Sequence, residues 1–219
     1  MTAPLYEIDS LVCSYGAEPV LQIGELSIPS EGPTAFVGHN GSGKTTLLKA
    51  LAFLLKPVSG TIQFRGEETA NREGELRRKA PLLLQEPYLL KRSVFENIAY
   101  GLRARGLTKN LRERVEEALD MAGLPPEFSK REWFRLSGGE ARRVALASRL
   151  VLKTPVMLLD EPTANVDEEN ALLMARVIRE AGEKWGTVFL IASHDIQWLE
   201  GVAARRISMR RGRIERVTC

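Results

Sequence analysis

Cysteine and histidine are both scarce in this 219-residue chain, which has two of each. Cys13 and Cys219 stand near opposite ends. They offer neither a disulfide framework nor a metal-ligand spacing, so a reducing cytosol is the expected setting. His39 and His194 alone do not make a histidine-rich metal site. Long apolar runs are missing as well: "TVFLIA" and "VMLL" fall far short of the ~20 residues that span a bilayer. The opening "MTAPLYEIDS" lacks a basic segment followed by an apolar one, which argues against a secretory leader. The expectation is a chain that stays in water and serves a membrane, if it does, through a partner. An excess of one charge is lacking too. The net charge is +3, too small to argue for nucleic acid or an anionic membrane surface. Internal repeats and low-complexity linkers are absent.

What is there is ordinary for a globular protein: 44% hydrophobic and 27% charged residues, in a length that suits one sizeable core better than two full domains. "PLYEIDSLVCSY" alternates as a strand does, "GAEP" marks a turn, and "VLQIGELSI" reads as a second strand. Ala35 to Val37 form a short apolar run that fits a buried strand. "GHNGSGKTTLLKALAFLL" is a glycine loop opening an apolar helix that should stop before Pro57. "SGTIQFRG" suggests another short strand. In the middle, Leu111, Val115, Leu119 and Ala122 share one helix face, with Gly123 at its end. "SGGEARRVALASRLVL" predicts a further helix. Later, "PVMLLD" and "TVFLIAS" are buried-strand runs flanking a helix over about Glu168 to Lys184. Strands alternating with helices predict an α/β fold with a mostly parallel sheet. Residues 86–154 are expected to be a helical insertion between the two parts of an α/β core, 1–85 and 155–219.

The strongest chemical motif is "GHNGSGKT", Gly38 to Thr45, which fits G-x-x-x-x-G-K-[ST]. Gly38, Gly41 and Gly43 let the backbone wrap so that N–H groups point at phosphate oxygens. The positive end of the following helix adds to that field. Lys44 supplies a cation for the β- and γ-phosphates, and the Thr45 hydroxyl suits magnesium. In "VMLLDEPTANVD", four apolar residues lead to Asp160 and Glu161. An aspartate at the end of a buried strand suits magnesium in such a site, and the neighbouring carboxylate suits the attacking water. His194, after the "TVFLIAS" strand, should face the same crevice, because ligands bind at the carboxyl edge of such sheets. Gln85 ends another apolar run and offers a neutral amide to magnesium or water. In "LSGGE", Ser137 and Glu140 make an [ST]-x-x-[EQ] capping box. Gly138 and Gly139 are poor helix formers, so they suggest that something approaches the bare helix start, which is an anion site.

Taken in order and spacing, "GHNGSGKTT", Gln85, "LSGGE", "LLDEPTANVD" and "SHD" resemble the ATP-binding cassette ATPases, over nearly the whole chain. The "LSGG" element separates that family from other phosphate-loop ATPases. The resemblance implies a RecA-like α/β core, a small N-terminal antiparallel β part and a helical subdomain carrying the signature. It implies two copies paired head to tail around two ATP molecules. His39, Asn40, Ser42 and Thr46 would join the phosphate loop in holding nucleotide, and Ser137 to Glu140 would meet the nucleotide of the other copy. Glu161 would be the catalytic carboxylate and His194 the switch histidine. Thr45, Asp160 and Gln85 would be magnesium partners, with Gln85 where the site meets the transport partner. Asp167 would belong to the loop crossing the dimer interface, and Tyr15 would stack on adenine. Glu140 stands where glutamine is commoner, and Val166 where leucine is frequent. The chain also leaves no room for the C-terminal regulatory domain of many sugar and molybdate importers. Residues 82–106, "LLLQEPYLLKRSVFENIAYGLRARG", resemble the short cassettes of oxyanion importers, the tungstate type above all. That implies an integral membrane permease, a substrate-binding protein and a place on the inner face of the cell membrane. Cell-division, lipoprotein-releasing and iron–sulfur assembly cassettes are the competing types. The long coiled coils of DNA-repair members and the paired cassettes of ribosomal members are not found.

Overall fold

The structure is a computed structural model that describes residues 3–164 and 166–218. Its elements run β1 (Tyr6–Ser14), β2 (Pro19–Ile28), β3 (Thr34–Val37), α1 (Lys44–Leu51), β4 (Ser59–Phe64), β5 (Glu67–Glu68), α2 (Glu73–Leu76), β6 (Leu82–Leu83), α3 (Val94–Arg103) and α4 (Leu111–Met121). After two short 3-10 turns, Pro126–Lys130 and Trp133–Arg135, come α5 (Gly138–Leu150), β7 (Val156–Asp160), α6 (Glu168–Trp185), β8 (Val188–Ser193), α7 (Ile196–Glu200), β9 (Arg205–Arg210) and β10 (Arg213–Thr218).

Two sheets result. The smaller has the order β2-β1-β4-β5 and is antiparallel; the larger has the order β10-β9-β3-β8-β7-β6. From β9 to β6 the large sheet is parallel, and β10 is its antiparallel edge. Strands β7 and β8 are buried at every position, as expected when both faces of a parallel sheet are covered. Alternation sorts their side chains. Val156, Leu158, Val188 and Leu190 join the core shared with α1 and the antiparallel sheet. Met157, Leu159, Phe189 and Ile191 face the other way, onto Val177, Ile178 and Ala181 of α6.

Helices α3, α4 and α5 lie between β6 and β7 and build a third cluster from Val94, Ile98, Leu102, Val115, Leu119, Val144 and Ala147. Val115 and Leu119 are buried on one face of α4, and Gly123 follows in a left-handed conformation, as the periodicity predicts. Helix α5 serves two cores: Val144 and Ala147 face the helical cluster, while Ala145, Leu146 and Leu150 face the sheet. Glu117 of α4 adds a polar tie, with Lys153 and Lys184 each 2.6 Å away.

Helix α1 is shorter than expected. It stops before Pro57, as expected, but already at Leu51, short of the apolar run that continues to Leu55. The Tyr6 hydroxyl donates to the Leu51 carbonyl at 2.9 Å, Phe53 turns to φ 58°, and the N–H groups of Leu54 and Leu55 both go back to Lys49 O. Those bonds satisfy the carbonyls that a continuing helix would have used. Cys13 is a buried free thiol; Cys219 lies outside the described residues. No helix among them is long and apolar enough to cross a membrane.

Candidate active site

The phosphate-loop motif occupies the turn from β3 into α1. Gly41 and Gly43 sit at φ 78° and 101°, the left-handed region that glycine enters without strain. Gly43 caps α1 with no side-chain bond. Among the described residues, the N–H groups of Lys44, Thr45 and Thr46 find no protein acceptor. Free donors at a helix start form an anion cradle. A further element supports it from behind. In the β9–β10 turn, Gly212 donates to Ser42 O at 2.9 Å and accepts from Gln22 N at 2.8 Å. Its φ is 74°, and a Cβ there would lie 2.2 Å from Val20 O. Motif reasoning gave no role to Gly212; its only trace in the sequence is the turn-like "RRGR".

Lys44 is buried. Its Nζ donates to Gly38 O at 2.7 Å and to His39 O at 3.4 Å, and lies 3.3 Å from Glu161 Oε1. Thr45 Oγ1 donates to Asp160 Oδ1 at 3.0 Å. Asp160 closes β7, beside Ala192 of β8 in the register. Burial pushes its carboxyl above the ordinary range and the adjacent Glu161 adds to that, while Thr45, Lys44 and Lys49 oppose it. A cation at this point would relieve the cost of the buried charge. A magnesium ion that carries nucleotide phosphates needs one or two protein oxygens, and Thr45 Oγ1 with Asp160 Oδ1 supplies that number. Among the described residues no group of three or more His, Cys, Asp or Glu could hold a metal by itself, so phosphate oxygens would complete the shell.

Glu161 turns out of the strand at φ 47°, fixed by its N–H to Ala192 O at 2.8 Å. A strained backbone at a strand end is common where a side chain must be aimed. Here it aims the carboxylate at Lys44 on one side and His194 on the other. Glu161 Oε2 lies 2.8 Å from His194 Nδ1 and accepts the His194 N–H at 3.3 Å. The structure thus gathers Lys44, Thr45, Asp160, Glu161 and His194 at one edge of the sheet. Gln85, just past β6, has no hydrogen-bond partner among the described residues. It lines a cavity of ≈ 40 Å³ together with Gly139, Arg143 and Glu161.

The "LSGGE" segment lies apart from the phosphate cradle in its bonding. Its capping box is complete: Glu140 N donates to Ser137 Oγ at 3.2 Å, and Ser137 N donates to Glu140 Oε2 at 2.7 Å. A Cβ on Gly138 would meet nothing within 4 Å, and one on Gly139 would only graze Asn170 Nδ2 at 4.0 Å. Nothing inside the chain demands glycine at these positions. Asp167 acts as the N-cap of α6, accepting from Asn170 N at 2.9 Å, a local role that its motif did not announce. Tyr15 is 57% exposed, with Lys49 Nζ 5.7 Å from the ring centre. It is open to a stacking partner.

The ABC transporter family matches residues 21–164. This chain belongs to that family. The tungstate uptake system ATP-binding protein TupC of Peptoclostridium acidaminophilum is 35% identical over 208 residues, 94% of this chain and 95% of that protein. The energy-coupling factor transporter ATP-binding protein EcfA2 of Caldanaerobacter subterraneus is 35% identical over 196 residues, 87% of this chain and 68% of that protein. Among solved structures, CbiO1 of Clostridium perfringens, part of the ABC transporter complex CbiONQ, superposes with a TM-score of 0.88 at 28% identity, covering 99% of this chain and 88% of that one. An ATP-binding cassette captured as a dimer after hydrolysis, with ADP and Pi bound, gives 0.87 at 26% identity and 97% coverage of both chains. The cassette described here is therefore an ATP-binding ATPase subunit of an ABC transporter, on a RecA-like α/β core.

Proposed function

We propose that two copies of this cassette pair head to tail, each phosphate loop sharing its MgATP with the "LSGGE" helix of the other copy. The observation that carries the reading is the bare start of α5. Two glycines with open space around them lie inside a capping box that satisfies only the Ser137 and Glu140 N–H groups, so the Gly138 and Gly139 N–H groups are left for a ligand from outside the chain. The dimeric solved relative with ADP and Pi supports it.

In this reading the phosphate loop, residues 38–46, wraps the nucleotide, with Tyr15 against adenine. Lys44 meets the β- and γ-phosphates. Thr45, Asp160 and Gln85 would hold Mg2+, whose charge offsets that building on the leaving ADP oxygens. Glu161 orients a water and takes its proton as the water oxygen bonds to the γ-phosphorus and the bond to ADP breaks. His194 presents its outer nitrogen to the γ-phosphate while Nδ1 holds Glu161. Ser137, Gly138 and Gly139 of the other copy cover the far side of the phosphate, and Asp167 lies at the copy-to-copy seam.

We further infer that the dimer sits on the inner face of the cell membrane against an integral permease. The cargo would be a small inorganic oxyanion of the tungstate kind, delivered by a substrate-binding protein. The support is the match to TupC over nearly the full length of both chains, against 68% of EcfA2. Purifying the complete complex from its native membrane tests this. A tungstate-type permease should co-purify, and ATPase activity should rise with loaded binding protein. A vitamin-type energy-coupling partner in its place would shift the assignment to the EcfA kind.

A further inference from the structure

One buried side chain fixes the loop after Gln85, and that loop is bonded through its backbone to the segment that leads into the signature. Asn97, on α3, is 7% exposed. Its Oδ1 accepts the Leu90 N–H at 2.7 Å, and its Nδ2 lies 3.0 Å from Leu90 O, 3.2 Å from Arg92 O and 3.0 Å from Ser93 O. Both ends of the amide are thus spent on residues 90–93. Those residues in turn hold the approach to α5. Arg92 O accepts from Trp133 N at 3.2 Å, Val94 N donates to Arg131 O at 2.8 Å, and Ser93 forms an antiparallel bridge with Glu132. Arg131 continues the path, its guanidinium 3.2 Å from Glu140 Oε1 in the capping box. On its outer side the loop offers Tyr88, 93% exposed, and Leu90, apolar groups turned toward solvent.

We propose that Asn97 is a positioning residue for ATP hydrolysis. It holds residues 90–93 in the conformation whose backbone bonds the 131–133 segment, so that the Tyr88–Leu90 surface and the signature move as one unit. This rests on the composite-site reading given above. Removing the amide leaves the Leu90 N–H without its acceptor, while Leu90 O, Arg92 O and Ser93 O keep only the backbone N–H groups of Arg92, Trp133 and Asn97, so the side chain no longer fixes the loop. Loosening the loop is therefore the expected relaxation. It frees the signature without touching the phosphate loop, where no residue of this network lies.

The test compares Asn97→Ala and Asn97→Asp with the parent in the full-length cassette. Aspartate keeps an acceptor for the Leu90 N–H but turns a carboxylate oxygen toward the carbonyls of Leu90, Arg92 and Ser93, so it is the harsher variant, and alanine is read alone if aspartate folds poorly. Hydrogen–deuterium exchange should quicken by about tenfold or more at residues 131–137 while α1 stays protected. In the Glu161→Gln background, ATP affinity should hold within about twofold while the ATP-dependent dimer weakens about tenfold. With Glu161 intact, kcat should fall with little change in KM. Unchanged exchange at 131–137, or ATP binding that falls in step with dimerisation, overturns the proposal. If Glu161→Gln alone forms no ATP-dependent dimer, the composite-site reading fails instead, and the exchange result by itself decides whether Asn97 holds the signature segment.

Discussion

Replacing Glu161 with glutamine keeps the shape of the side chain and removes one charge, and the proposed mechanism gives that charge two separate effects. Without nucleotide, the carboxylate lies 3.3 Å from Lys44 Nζ, and both groups are buried. At an effective dielectric near 20 the pair attracts by about 5 kcal/mol before desolvation is counted. Bound phosphates compete with Glu161 for that same ammonium, and they meet its negative charge as well. Most of the gross term is cancelled by the cost of burying both ions. A net gain of about 1–2 kcal/mol is therefore expected when the charge is removed, which is roughly five- to thirty-fold tighter ATP binding. The chemical step responds in the opposite direction. An amide cannot take the proton of the attacking water, and loss of a general base costs about 10²- to 10⁴-fold. Titration calorimetry with ATP, alongside phosphate release under saturating MgATP, measures both effects on one preparation. Turnover within a few-fold of the parent, or ATP binding weakened in the variant, would refute the reasoning about this carboxylate.

Asp160→Asn tests the neighbouring group. A carboxyl whose folded pKa is raised contributes stability below its unfolded pKa and loses it as pH rises through the folded value. At neutral pH, burial of Asp160 therefore opposes folding. The variant should gain about 1 kcal/mol without nucleotide, a melting rise of about 2–4 °C, and should lose most of the further rise that MgATP gives the parent. Glu140 has the opposite sign. The Ser137 N–H holds its carboxyl below the usual range, with Arg131 helping against partial burial. Its contribution is present above the ordinary carboxylate pKa and lost as pH falls through the depressed one. In urea titrations, Glu140→Gln should be weaker than the parent by about 0.5 kcal/mol at neutral pH, and the gap should close on acidification. Gly212→Ala forces a Cβ to within 2.2 Å of Val20 O. By shifting the turn that donates to Ser42, it should weaken ATP binding about tenfold, read by calorimetry on folded protein; unchanged affinity would leave the turn no part in the cradle.

Much of this was legible in the sequence because the site is built from short contiguous motifs at the ends of apolar strands. Asp160, Glu161 and His194 each follow a run of buried residues and Lys44 ends the glycine loop that follows another, so the parallel sheet brings them to one edge without further instruction. The opening strands and α4 were equally plain from their periodicity. Other parts were hidden for physical reasons. Strands β9 and β10 read "RRISMR" and "RIERVT", where arginine and glutamate mask the alternation, and β10 is an exposed edge. The early end of α1 depends on the Tyr6 hydroxyl, 45 residues away in sequence. Asn97 looks like any polar helix residue until its partners at 90–93 are seen. The two glycines of "LSGGE" were legible only as a question, since nothing within one chain uses the space they leave.

That question is answered most directly by mixing two defective cassettes. Lys44→Ala removes the phosphate-loop cation. Gly138→Asp puts a carboxylate at the bare helix start, where its Cβ meets nothing within 4 Å in its own chain but its charge repels a phosphate. Each alone should be nearly inactive. A mixed dimer pairs the intact phosphate loop of one copy with the intact signature of the other, so an equal mixture should recover about a quarter of parental ATPase activity, from one good site in half of the dimers. A mixture as inactive as its components, with exchange of subunits demonstrated, would contradict an active site shared between two copies.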